Sequence, residues 1–170
     1  PADIHLKRRE RQKGTQQYEK TGKAGADFIV HEHGRRFWVN LEKYLDTGLF
    51  LDHRNTRQRV GEMAAGKRFL NLFAYTGSFS VYAATGGAAA SETVDLSNTY
   101  LDWARRNFEL NGIDEARHQI VRADVFQYLQ AAAEAGKPFD LIVMGPPRFS
   151  NSKKMLDILD IQRDHLKLID

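Results

Sequence analysis

Four short apolar runs set the strongest limit on what this chain can fold into. KRFLNLF (67–73), AAASETVD (88–95), HQIVRAD (118–124) and FDLIVMG (139–145) are each of strand length. Between them lie TGSFSVYAATGG (76–87), SNTYLDWARRNFELNG (97–112) and VFQYLQAAAEAG (125–136), which read as helices. The clearest is 97–112, where Tyr100, Leu101, Ala104, Phe108 and Leu110 favour one side and Asn111-Gly112 closes the run. Strand and helix in strict alternation is the order of a parallel α/β sheet of Rossmann type, whose parallel strands need helical crossovers. A complete doubly wound sheet uses more than four strands. The sheet is therefore expected to be unfinished at its C-terminal side, with 158–170 as a further helix.

Upstream the rhythm differs. Residues 1–24 are polar and basic with little periodicity, an arm or lead-in. In FIVHEHGRRFWVNL (28–41) two apolar stretches flank His33-Gly34, the pattern of a β-hairpin. A helix is expected over 52–65, closed by Gly66. The chain thus divides into a basic arm with a hairpin, 1–50, and a partial sheet domain, 51–170. Its first residue is proline, so it reads as an excerpt or a processed piece.

Composition narrows the function classes. With 42% hydrophobic and 28% charged residues the chain reads as a soluble globular protein. No apolar run approaches the roughly 20 residues of a membrane span. Cysteine is absent, which excludes disulfides and thiolate metal sites from these residues and favours a cytoplasmic setting. His31, His33, His53 and His118 lack metal-ligand spacing and read as surface or local polar groups, so no metal is expected; Trp38 and Trp103 read as core. The net charge of +3 is unevenly spread: 15 Lys/Arg against 9 Asp/Glu up to residue 68, then 10 against 13. Within KRRERQKG (7–14), Lys7, Arg8, Arg9, Arg11 and Lys13 are candidate phosphate contacts for a nucleic acid.

The candidate site lies where strands end. NLFAYTGSFS (71–80) joins the first strand of the sheet to its helix, and open α/β sheets bind ligands at the carboxyl ends of strands. Gly77 lets the backbone approach a ligand, and the helix that follows offers free N–H groups. Neither G-x-G-x-x-G nor a P-loop lysine is present. Asp95 ends the second strand about 18 residues after Gly77, where a carboxylate can accept from both hydroxyls of a ribose. Asp124 ends the third, placed to receive the exocyclic amine of an adenine. Each of the two also suits a helix N-cap.

NLFAYTGSFS, TVD (93–95), RAD (122–124) and GPPRFSNSK (145–153), in this order, resemble class I S-adenosylmethionine-dependent methyltransferases. TGLFLDHR (47–54) and PPRFSNSK narrow the resemblance to the guanine-N7 half of bifunctional bacterial 23S ribosomal RNA methyltransferases, and it covers nearly the whole chain. The resemblance implies S-adenosyl-L-methionine as cofactor, large-subunit rRNA as partner, and a second methyltransferase domain on the N-terminal side. It implies Phe73, Tyr75, Gly77 and Ser78 around the methionine part, Asp95 at the ribose, and Asp124 with Val125 at the adenine. Asp52 and Arg54 would close over the methionine end.

One position departs from the family pattern. Asp-Pro-Pro is replaced by Gly145-Pro146-Pro147. In amine methyltransferases that acidic group orients the target nitrogen. Guanine N7 already carries an in-plane lone pair and no proton, so alignment and exclusion of water suffice there. Pro146 and Pro147 stiffen the strand exit, and their rings, with Phe149, offer a surface for a target base; a rigid turn with Phe149 buried is the plainer alternative. Arg148, Lys153 and Lys154 add phosphate contacts. Two rivals remain open: a cytosine-C5 rRNA methyltransferase, whose cysteine nucleophile would lie outside these residues, and a non-catalytic RNA-binding module on the same fold.

Overall fold

The computed structural model describes residues 25–43, 46–147, 149–150 and 159–160, the last two pairs by backbone alone. The hairpin forms as its pattern dictates: β1 (Phe28–Glu32) and β2 (Arg35–Val39) pair antiparallel around His33-Gly34, both in the left-handed region. A 3-10 turn (Leu51–His53) leads into α1 (Arg54–Met63). The alternating part follows as β3 (Arg68–Leu72), α2 (Ser78–Thr85), β4 (Ala90–Asp95), α3 (Asn98–Leu110), β5 (His118–Arg122), α4 (Val125–Glu134) and β6 (Leu141–Met144).

The four sheet strands are parallel, in the order β5-β4-β3-β6. Phe69 to Leu72 of the interior strand β3 are all buried, as a strand covered on both faces requires. The order runs outward from β3 through β4 to β5, then restarts with β6 on the other side. That places the topological switch at β3. Leu72 stands level with Val94 and Met144, and Val94 with Val121, so all four strands release their chains along one rim. On β6, at the end of this order, Ile142 is half-exposed.

One expected helix is corrected. Leu159–Asp160, within the 158–170 prediction, forms a short strand, β8, antiparallel to β7 (Phe149–Ser150). Backbone pairing with β7 overrides the local helical pattern there; the remainder of 158–170 lies outside the described residues. Of the two readings for His118, the polar one holds and the surface one does not: it is buried, and its Nδ1 sits 3.0 Å from the Ser91 hydroxyl.

The hairpin shares its core with the sheet domain: Phe37, Val39 and Leu49 pack with Val81, Tyr82 and Phe108. Polar contacts reinforce the joint. Trp103, Asn107 and Asn111 recur every four residues, on one face of α3, and satisfy the outer edge of β2. The Asn111 amide accepts from the Arg36 N–H and donates to its carbonyl; Asn107 Oδ1 accepts from the Trp38 N–H, and Trp103 Nε1 donates to the Trp38 carbonyl.

Asn107, fully buried, also donates through Nδ2 to the Thr76 carbonyl at 2.9 Å. Asn107→Ala would leave the half-buried Trp38 N–H and the buried Thr76 C=O unpaired. At about 1–3 kcal/mol for each, the variant is expected to lose about 2–5 kcal/mol in urea unfolding.

Candidate cofactor and substrate site

The rim above β3 and β4 is built around one carboxylate. Asp95 ends β4, with Oδ2 accepting from the Tyr75 N–H and Oδ1 from the Ser97 N–H, both at 2.9 Å. It is not the N-cap of α3; Ser97 is. Burial raises the Asp95 pKa above the ordinary aspartate range, and backbone N–H groups of Ser97, Tyr75 and Leu96 oppose that rise without cancelling it. Each oxygen keeps capacity for another donor, so the group can still accept from hydroxyls.

The turn that meets Asp95 is strained. Phe73 and Tyr75 have φ of 55° and 53°, a region that non-glycine residues seldom occupy. Such conformations cost about 1–3 kcal/mol each and persist where the surroundings over-determine them. At Tyr75 the surroundings are visible: its N–H is held by Asp95, and its hydroxyl accepts from the Gly48 N–H at 2.8 Å. Thr76 Oγ1 donates to the Gly48 carbonyl at 2.7 Å. Gly48 itself has φ 98°, and a Cβ there would collide with the Trp103 ring, so only glycine fits between the turn and α3.

Gly77 (φ 70°) is the N-cap of α2 and contributes no side-chain cap. The N–H groups of the first turn of α2 therefore face the rim without a capping side chain, a setting suited to a carboxylate. The glycine also has a packing reason that sequence reading did not supply: a Cβ would come within 3.0 Å of Ala104 Cβ on α3. Ser78 opens α2 and is buried. Asp124 caps α4, Oδ1 accepting from the Phe126 and Gln127 N–H groups, while Oδ2 has no hydrogen-bond partner among the described residues. Val125 packs into the core with Leu70, Leu72 and Val94.

Asp52 and Arg54 are both exposed, in the 3-10 turn and at the start of α1. Their segment lies against the glycine turn. The Phe50 ring is 5.0 Å from that of Tyr75, and the His53 ring 5.8 Å from that of Phe79. Gly145 also reaches this rim, its N–H donating to the Leu72 carbonyl at 3.2 Å. The rim thus gathers Phe73, Tyr75, Gly77, Ser78, Asp95, Asp124 and Gly145. Pro146 and Pro147 follow, half-buried and exposed. The side chain of Phe149 and all of Arg148, Lys153, Lys154 and the basic arm residues Lys7, Arg8, Arg9, Arg11 and Lys13 lie outside the described residues.

Sequence reading missed Glu32, Arg57, Tyr82, Gly48 and Asn107. Arg57 is 1% exposed and bidentate to Glu32, 2.9 Å at each contact, with Tyr82 Oη donating to Glu32 Oε1 at 2.9 Å. Burial pushes Glu32 up, but the hydrogen bonds from Arg57 and Tyr82 and the Arg57 charge outweigh it and leave its pKa lowered. No local pattern marks these pairs, because their partners are 25 to 50 residues apart. Gly48 alone carried a signal, since it lies inside TGLFLDHR.

The donor set fits an adenosine-containing sulfonium cofactor: a half-buried carboxylate on one strand end, an aspartate with a spare oxygen on the next, and a helix N-terminus without a side-chain cap between sheet and loop. Comparison with known proteins agrees. Residues 3–168 match the S-adenosylmethionine-dependent methyltransferase family. The chain is 82% identical over its whole length to ribosomal RNA large subunit methyltransferase K of Neisseria meningitidis serogroup B, of which it covers 48%. It is 58% identical, again over its whole length, to methyltransferase K/L of Chromohalobacter salexigens, covering 23% of that protein. The chain therefore spans half or less of these relatives. Among solved structures, a methyltransferase complexed with SAH superposes with a TM-score of 0.79 at 40% identity, over 86% of this chain and 38% of that one. A SAM-dependent methyltransferase from Agrobacterium tumefaciens superposes with a TM-score of 0.76 at 25% identity, over 88% and 48%. The match over residues 3–168 shows that the chain belongs to the S-adenosylmethionine-dependent methyltransferase family.

Proposed function

We propose that this chain carries the methyl-transfer site of a large-subunit rRNA methyltransferase acting on guanine N7 of 23S rRNA, in the cytoplasm. The observation that carries the reading is Asp95: a half-buried carboxylate held by two backbone N–H groups where the strained turn meets β4. The names of the 82% and 58% identical relatives supply the substrate class.

The bound cofactor supplies an electrophilic methyl on a sulfonium. The chain supplies placement. Asp95 accepts from the sugar hydroxyls, and Asp124 receives the adenine amine through the oxygen its capping role leaves open. Val125 contributes its backbone there, since its side chain is committed to the core. Phe73, Tyr75, Gly77 and Ser78 enclose the methionine part, with the first turn of α2 toward its carboxylate. Asp52 and Arg54 close that end.

On the substrate side, Gly145-Pro146-Pro147 presents no acid or base. Guanine N7 needs none, because its lone pair lies in the ring plane and bears no proton. Pro146, Pro147 and Phe149 form the base-facing surface. Lys7, Arg8, Arg9, Arg11, Lys13, Arg148, Lys153 and Lys154 contact phosphates. A second methyltransferase domain N-terminal to this chain fits the partial coverage of the relatives.

Incubation of the full-length protein with unmodified rRNA and S-adenosylmethionine, followed by nucleoside mass analysis, is expected to yield 7-methylguanosine. Methylated cytidine would transfer the reading to the cytosine-C5 class. Gly145, which lacks the orienting carboxylate, favours a second reading, an RNA-binding module without catalysis. RNA binding with no modified nucleoside would establish it.

A further inference from the structure

The Glu32–Arg57 pair reaches further than the joint it seals. Arg57 carries three committed contacts: two to the Glu32 carboxylate and a third from Nη1 to the Phe50 carbonyl at 2.8 Å. Phe50 precedes the 3-10 turn that carries Asp52 and opens toward Arg54. No other side chain is seen to donate a hydrogen bond to that turn's backbone among the described residues. Leu51 is 75% exposed, the Asp52 and His53 side chains are 3.9 Å apart at the surface, and the His53 N–H reaches the Phe50 carbonyl only at 3.4 Å. Its other contacts include the Arg54 N–H to the Leu51 carbonyl, the Phe50–His53 ring pair, and the ring packings of Phe50 on Tyr75 and His53 on Phe79, the residues on either side of Gly77.

A buried ion pair is an inefficient way to stabilise a fold, because desolvation offsets most of the attraction and packed apolar side chains do as well. If Arg57 served only to join hairpin and helices, two apolar residues would replace the pair. What apolar residues cannot do is hold a backbone carbonyl. Resting on the assignment of S-adenosylmethionine to this rim, we propose that Arg57, oriented by Glu32 and Tyr82, is a positioning residue for cofactor binding. It fixes the Phe50 carbonyl and so keeps the 51–54 segment closed over the methionine end. Glu32 sets the guanidinium plane by its bidentate grip, and Tyr82 Oη, also 2.9 Å from His33 Nδ1, holds the carboxylate in turn.

The deciding variant is the double substitution Glu32→Leu with Arg57→Met, made in the full-length protein. It removes the pair without stranding a buried charge. Tyr82 Oη keeps the Glu32 carbonyl and His33 as partners. The melting temperature is expected to stay within about 3 °C of wild type. S-adenosylhomocysteine affinity, by calorimetry, is expected to fall about tenfold. In turnover, the KM for S-adenosylmethionine rises by a similar factor, while kcat at saturating cofactor changes less than about twofold.

Arg57→Lys keeps the charge but cannot span both Glu32 oxygens and the Phe50 carbonyl, and is expected to fall between wild type and double variant. As a control, Lys137→Met breaks the Lys137–Glu92 pair, leaves Glu92 hydrogen-bonded to Tyr128, and should leave S-adenosylhomocysteine affinity unchanged. A double variant that keeps both its melting temperature and wild-type affinity overturns the positioning role. So does a Lys137→Met protein that loses affinity equally, since general loosening would then explain the effect. Failure of the wild-type protein to bind S-adenosylhomocysteine overturns the cofactor assignment itself, and this inference with it.

Discussion

Asp95→Ala is expected to weaken S-adenosylhomocysteine binding about 100-fold in calorimetric titration. Hydrogen bonds to an ionised group contribute about 1.5–3 kcal/mol each, so losing two to the sugar hydroxyls at the lower figure gives about 3 kcal/mol. The same substitution releases the Tyr75 N–H, one of the contacts that keeps the strained turn in place. Asp95→Asn is expected to be nearly as weak. It has no charge, and its amide NH₂ must face either the Tyr75 or the Ser97 N–H, donor against donor. Affinity within a fewfold of wild type in either variant would remove Asp95 from the cofactor site.

The pH dependence of the same residue is a separate test. Burial raises its pKa despite the opposing N–H groups of Ser97, Tyr75 and Leu96. Hydroxyl recognition needs the ionised form, so affinity should fall as pH drops through a value above the ordinary aspartate range of about 3.9. Stability runs the opposite way. Because the folded-state pKa is raised, the contribution of Asp95 to stability is fully present below the unfolded-state value and is lost as pH rises through the folded one. The cofactor-free protein is therefore less stable with Asp95 ionised than with Asp95 protonated. Urea midpoints recorded against pH should show that step in wild type and lack it in Asp95→Asn.

Gly145→Asp is expected to raise kcat/KM for RNA about tenfold. A Cβ built at Gly145 meets nothing closer than the Phe73 carbonyl oxygen at 4.0 Å, so the site has room for the side chain. The Gly145 N–H bond to Leu72 is backbone and survives the change. Stability should then stay within about 0.5 kcal/mol of wild type, as for an exposed position with no special geometry. A carboxylate there adds an acceptor for an N–H of the bound guanine, and one well-made contact to a base edge contributes about 1–3 kcal/mol. The gain should come with little change in S-adenosylhomocysteine affinity, because the new group faces the base and not the cofactor. An unchanged rate in a folded, cofactor-binding variant would show that the glycine does not limit substrate placement.

Local pattern was enough to determine the strand-helix alternation from 67 to 145, the hairpin around His33-Gly34, and the rim residues Gly77, Asp95 and Asp124. Periodicity, turn residues and strand ends are short-range properties, and a parallel sheet brings its strand ends together whatever fills the rest of the chain. Tertiary structure alone decided the other features: the strand at 159–160, the left-handed turns at Phe73 and Tyr75, and the requirement for glycine at 48. It also decided the buried Glu32–Arg57–Tyr82 cluster and the side-chain ladder of Trp103, Asn107 and Asn111. Each of these depends on a partner far away in the chain. A buried charge or amide takes its meaning from the group that satisfies it, and no periodicity within one segment records where that group will lie.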